Sequence, residues 1–407
     1  MTNYIALAIP FFFVLILVEL AVARSRKLQP YRFLDVVVNL ASGTGQQVAA
    51  IFLAGGLLAI YAWLYDHARL FSLPQSSLWT WLLTFLLVDF KYYWWHRLSH
   101  EVNVLWAAHV VHHSSEDYNL AVALRQSVTT LLTTLPFALP LAILGVPPLV
   151  FVTLEAFSTL YQFWIHTELI DKLGWFETIF NTPAQHRVHH AVNPRYLDKN
   201  YAATLCIWDR LFGTFEEETE PPVYGLVHPL AKFDPLWAQV HYYVELASIA
   251  RRAPRWQDKL LVWFKGPLWS PRGMPPVPPP PEVTRETRQK YEPPLGSGLR
   301  GYLWLQLVAT MTGAFFLLLF QNQWPRQLVI AGALLVALSL VAWGGLMERR
   351  RWALPLELVR LALLGAVAFY FLSPRFAMPV LALILAGSLA PQLALLWGAR
   401  SAGPQQA

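Results

Sequence analysis

The chain has 407 residues, 56% of them hydrophobic and only 14% charged. A soluble core of ordinary size cannot hide that much apolar surface, so long apolar runs read as transmembrane helices. The single cysteine, Cys206, excludes an intramolecular disulfide and any cysteine-built metal site, and a net charge of +6 matters less for its size than for its placement.

In chain order, residues 4–22 form a first apolar span, read as a retained anchor because no basic segment precedes it. A basic stretch with Arg24, Arg26, Lys27 and Arg32 follows. Residues 47–65 and 78–95 make the second and third spans, joined by a short loop that carries Arg69. Residues 127–144 and 147–165 read as an apolar hairpin broken at Gly145 and Pro147–Pro148. The chain then turns polar from 166 to about 299, and PPVPPPPEV within 275–294 favours an extended linker. Four more apolar runs follow, near 301–320, 327–345, 353–372 and 376–397. The expected fold is all-α and polytopic, with about nine transmembrane helices. Its expected organisation is a membrane domain over 1–266, a linker over 267–299 and a four-span domain over 300–400.

Histidine organises the chemistry. Eight of the twelve histidines fall in three clusters: HRLSH (His96, His100), HVVHH (His109, His112, His113) and HRVHH (His186, His189, His190). On helices these spacings place the rings of each cluster on one face. Neutral imidazole suits iron, zinc, copper and nickel, and eight rings exceed what one ion takes, so the pattern predicts two metals. Solvated surface histidine explains a lone HxxxH, but not three clusters at helical spacing. His166 is a candidate ninth ligand, because Glu155, Thr159, Gln162 and His166 run along one face of the fifth span.

Two acids at membrane depth accompany these rings. Carboxylates behind metal-bound imidazoles orient them, and ionisable groups in spans usually face the bundle interior. Asp89 is therefore expected to support the imidazoles, and Glu155 either to do so or to line a substrate cavity. His67, His228 and His241 are expected to take no part. Arg125 and Lys199 are expected at the cytoplasmic surface, with an anionic head group as the alternative partner.

Charge sets the expected topology. With the N-terminus outside, the loops at 23–46, 96–126, 166–299 and 346–352 share one side and carry nearly all Lys and Arg, which marks that side as cytoplasmic. The histidine clusters form a helical cap on that side, and the C-terminus lies inside.

The three boxes resemble those of the membrane fatty acid hydroxylase (sterol desaturase) superfamily. Within it, HVVHHSSEDYNLAVALRQS, LYQFWIHTEL, NTPAQHRVHH, LDKNYAATLCIWDRLFGTFE, YGLVHPL and KGPLWSPRG are most similar to the alkylglycerol monooxygenase family, over about residues 80–272. That resemblance implies a centre of two iron ions on the box histidines, dioxygen and a bilayer lipid as substrates, and tetrahydrobiopterin as external electron donor. It implies hydroxylation of the carbon beside an ether oxygen. Two alternatives stand beside it: hydroxylation or desaturation of another lipid (sterol, fatty acyl, carotenoid or sphingoid), and a metal-handling transporter. A transporter should place polar groups at the bilayer midplane, whereas these histidines gather beyond the span ends.

Overall fold

The computed structural model describes residues 4–371. Among these the protein is all-helical, with no strand and only two isolated bridges, Phe180 with Leu205 and Ala191 with Tyr224. The expected run at 376–397 lies outside the described residues. Two compact units divide the described residues, one over 4–231 and 237–290, the other over 232–236 and 291–371.

The first unit begins with α1 (Tyr4–Ser25) and α2 (Phe33–Ala68). The second helix starts well before the apolar run at 47, because its polar N-terminal end is buried against protein: Asp35, Asn39 and Ser42 are all within 2% exposure. Next come α3 (Leu78–Glu101) and α4 (Asn103–His113), separated by a single extended residue, Val102. Then α5 (Thr130–Ile143) and α6 (Pro148–Trp164) form a hairpin packed on α2 and α3. Its turn requires Gly145, which has φ +86° and sits so close to Phe71 that a Cβ would lie 1.9 Å from that residue's carbonyl oxygen. Short helices α7 (Pro183–His189) and α8 (Ile207–Leu211) follow, then α9 (Pro235–Arg252) and α10 (Trp256–Phe264).

The second unit holds α11 (Ser297–Phe320), α12 (Arg326–Met347) and α13 (Ala353–Phe371), each packed on the next. Helices α1, α2, α11, α12 and α13 are long and apolar enough to cross a bilayer, which makes this an integral membrane protein. The 24-residue α3 is long enough, but Asp89, Lys91, Arg97 and two histidines interrupt its apolar character. Helix α5, at 14 residues, reaches only about 21 Å at 1.5 Å per residue, short of a hydrocarbon core of about 30 Å.

Candidate metal centre

Four helices or helix ends meet over the histidines. His96 and His100 stand on the last turns of α3, and His109, His112 and His113 on α4. His166 lies just beyond α6. His186 and His189 stand on α7, which Thr182 and Pro183 start, and His190 ends it. All nine are brought together, and all except His100 are fully buried.

They separate into two groups. His96, His100, His109, His113 and His189 form one, and His112, His166, His186 and His190 the other; within each, one ring nitrogen per residue lies within 4.8 Å of the rest. The expectation of one face per box is thus refined. In each HxxHH box the i, i+4 pair joins one group, and the ring at i+3 crosses to the other. The sequence spacing supplies rings to both groups at once, and the rings of His113 and His190, stacked at 4.3 Å, connect the groups.

Backbone carbonyls orient the rings. Nδ1–H donates to the carbonyl of Tyr201 from His96 (2.7 Å), of Arg125 from His112 (3.1 Å), of Gln162 from His166 (2.7 Å) and of Lys199 from His189 (2.9 Å). A carbonyl can only accept, so each bond fixes the tautomer and leaves Nε2 as a bare lone pair. The consequence is sharpest between His112 and His166. Their Nε2 atoms approach to 3.2 Å, yet both are held as acceptors, so the contact is not a hydrogen bond. A metal ion between them would reconcile the two converging lone pairs. Nitrogens bound to one ion at about 2.1 Å and a right angle are about 3 Å apart, which matches this contact. In addition, His100 Nε2, His189 Nε2 and His190 Nε2 are buried without a hydrogen-bond partner. The donor set therefore fits two metal ions.

Burial keeps these rings neutral. Desolvation is the largest cause of the lowered pKa at His112, pushed down to about 4, and at His189, pushed down to about 3. Neutral imidazole is the form that binds metal.

A second layer holds the carbonyls in place. Asp209 accepts from the backbone N–H of Tyr201 (2.7 Å) and Ala202 (2.9 Å) and from the Thr214 hydroxyl, fixing the loop that presents Tyr201 and Lys199. Arg187, inside the third box, donates to Glu218 and to the carbonyls of Thr167 and Ile170, which ties α7 to the His166 segment. Arg125 is not at the surface. It is 2% exposed and donates to Val111, Ser114 and Asn39 while its own carbonyl orients His112.

Asp89 falls elsewhere than expected, and for Glu155 only the alternative of a place in a substrate cavity remains. Asp89 reaches no imidazole: it accepts from the backbone of Thr204 (2.9 Å) and Leu205 (3.1 Å) and from the Trp208 indole. It lies seven residues before His96, about 10 Å along the helix, and meets the loop rather than the rings. Glu155 ion-pairs with Lys91, bridging α6 to α3, also apart from the rings.

The fatty acid hydroxylase model matches residues 81–214, the stretch that holds all nine histidines. An alkylglycerol monooxygenase of Xenopus tropicalis is 41% identical over 88% of this chain and 80% of its own length. The chain belongs to the fatty acid hydroxylase family. It is accordingly an oxidoreductase. The alkylglycerol monooxygenase of Homo sapiens is 47% identical over 66% of this chain and 60% of its own. An ornithine lipid hydroxylase of Rhizobium tropici is 29% identical over 46% of this chain and 59% of its own. No solved structure matches.

Sequence reasoning missed Lys91, Arg187 and Asp209. Asp209 lies in LDKNYAATLCIWDRLFGTFE, a stretch whose role is visible only once the loop folds back on itself. Arg187 could have been suspected, since a cation between three box histidines needs an acid partner to stay buried.

Proposed function

We propose that the protein is a membrane di-iron monooxygenase that hydroxylates a lipid C–H bond with dioxygen, with ether lipids of the alkylglycerol type as substrate. One observation carries this reading: nine clustered imidazoles divided five and four, with converging lone pairs that metal ions would reconcile. Two irons held on these rings would supply the activation of dioxygen. The electrons come from an external reductant, for which tetrahydrobiopterin is the candidate that the similarity to alkylglycerol monooxygenases supports.

The chain's own residues set the conditions. Backbone carbonyls hold Nε2 of His96, His112, His166 and His189 inward, and burial excludes water from the reacting carbon. Tyr92 lies edge-on to His96 at 5.2 Å and Trp95 edge-on to His109 at 5.4 Å, giving an aromatic wall where α3 enters the centre. A lipid tail would thread between α3, α5 and α6, past the Lys91–Glu155 pair. Hydroxylation beside an ether oxygen gives a hemiacetal, which collapses to a fatty aldehyde and a glycerol derivative. The centre faces the cytoplasm, the side of the Lys- and Arg-rich loops, with α5 and α6 as a short hairpin that enters the bilayer beside α3.

The similarity to an ornithine lipid hydroxylase supports a second reading, hydroxylation of a different lipid on the same scaffold. Purified protein assayed for bound iron and supplied with an alkylglycerol should contain close to two irons and release fatty aldehyde. Iron with stable hydroxylated product from another lipid would favour the second reading, and metal-free active protein would end both.

A further inference from the structure

Beside the four-histidine group lies a cavity of about 330 Å³ that the hydroxylation site does not use. One wall is aromatic. Tyr224 and Tyr118 stack with centroids 4.8 Å apart, and Tyr118 lies 5.8 Å from the His166 ring and 5.3 Å from the His190 ring. The Tyr118 hydroxyl donates to the carbonyl of Ile165, the residue before His166, so this wall is fixed to the histidines (3.0 Å). A second wall is acidic, with Glu116, Asp117 and Glu168.

The third wall is a strap from the Pro-rich segment. Arg285 binds Glu168 (2.5 Å), Lys290 binds Asp117 (2.7 Å) and Arg288 donates to the carbonyl of Leu226 (2.6 Å). Gly225, at φ +110°, lets the strap approach, since a Cβ there would lie 3.1 Å from the Arg288 guanidinium. The Arg288 Nε is buried without a hydrogen-bond partner.

We propose that this cavity binds the external reductant, a flat, N–H-bearing heterocycle of the reduced-pterin class, one aromatic ring away from the four-histidine group. The inference rests on the monooxygenase reading. Tyr224 offers a stacking face, Glu168, the most exposed of the three acids, accepts from a ring N–H group, and Arg288 donates to a ring carbonyl. The electron count closes: a C–H bond and dioxygen become an alcohol and water by taking up two electrons and two protons, and the reduced heterocycle gives up two of each. A lipid head group fits the position poorly. It is joined to the reacting carbon by one ether oxygen, so it must lie against the histidines and not behind Tyr118.

The test uses full-length purified protein. An anaerobic fluorescence titration of the metal-stripped protein with tetrahydrobiopterin should give saturable binding. Glu168→Gln and Arg285→Ala should each raise the Kd about tenfold, while Arg195→Ala, in an exposed ion pair away from the cavity, should leave it unchanged. In iron-loaded protein the same two variants should raise the KM for pterin about tenfold. Their product yield in a single turnover driven by dithionite should match that of the unaltered protein. An unchanged Kd in both cavity variants, or no binding at all, overturns the assignment of the cavity. Normal pterin binding with no dithionite-driven product overturns the monooxygenase reading instead.

Discussion

Two buried polar clusters make an instructive contrast. In the second unit, Arg360 and Glu357 of α13 are 2% and 0% exposed. Arg360 donates to both Glu357 oxygens, to Gln306 of α11 (2.6 Å) and to Ser339 of α12 (3.2 Å), and Tyr302 donates to Glu357. No side-chain atom of that cluster lacks a partner. In the first unit, eight of the nine imidazoles are buried too, yet several Nε2 atoms have no partner and two face each other as acceptors. Buried polarity alone therefore does not mark a site. A saturated network ties helices together, whereas an unsaturated one that converges on a point is built for something else.

The largest effect should come from the unsaturated cluster. His109→Ala and His186→Ala, one in each group, should each lower activity by at least about a hundredfold and reduce bound iron, while membrane insertion is kept. Iron analysis beside product assay checks this. Full iron and full activity in both variants would remove the distinction between the clusters.

The saturated cluster should respond in the opposite way. Arg360→Leu leaves the Glu357 charge buried and unpaired, a loss of about 3–5 kcal/mol for a broken buried pair. Its thermal midpoint in detergent should fall, with iron content per folded molecule unchanged. The double variant Arg360→Leu, Glu357→Leu should recover much of the loss. A loss of iron in proportion to stability would show that the second unit supports the centre directly.

Acidification separates the clusters again. His112 is held at a pKa of about 4 in the fold against 6.5 unfolded, so the unfolded chain binds the extra proton between these values. Stability of the iron-free protein is then complete above about pH 6.5 and is lost as pH falls toward 4. For His112 alone the loss at pH 5 is about 2 kcal/mol. Thermal midpoints of metal-stripped protein at pH 7.5 and pH 5 measure it, and equal values would contradict the neutral, buried state of these rings.

How far the sequence was legible follows from where each partner lies. The eight box rings could be read because helical spacing is local: i, i+3 and i+4 are written in the chain, and His166 followed from the polar stripe of α6. The groups that orient them could not, since Tyr201 serves His96 and Gln162, Arg125 and Lys199 act through carbonyls that any residue type supplies. Asp89 was misplaced because sharing a helix stripe with His96 says nothing of the loop that reaches it first. The early start of α2 was hidden because Asp35 and Asn39 look like part of a polar loop until Arg125 and Ser115 meet them.

The smallest effect concerns a group intermediate between the two clusters. Glu155 pairs with Lys91, and their side chains are 31% and 4% exposed, so the cation is the deeper partner. The pair lies between the aromatic wall of α3 and the hairpin helix α6, with the Lys91 ammonium 5.9 Å from the Phe151 ring centre. Glu155→Gln keeps the shape and one acceptor for Lys91, and it removes only the charge of the more exposed member. Since Glu155 touches no imidazole, iron content should be unchanged, and activity should fall by no more than about tenfold, about 1.4 kcal/mol. Glu155→Leu removes the acceptor as well and leaves Lys91 buried without its partner, so stability and lipid chain-length preference should change more than iron does. Iron content and a chain-length series on both variants settle it. If Glu155→Gln loses iron as fully as His186→Ala, the carboxylate acts on the histidines, and the pairing of α6 with α3 through Lys91 is not what fixes it.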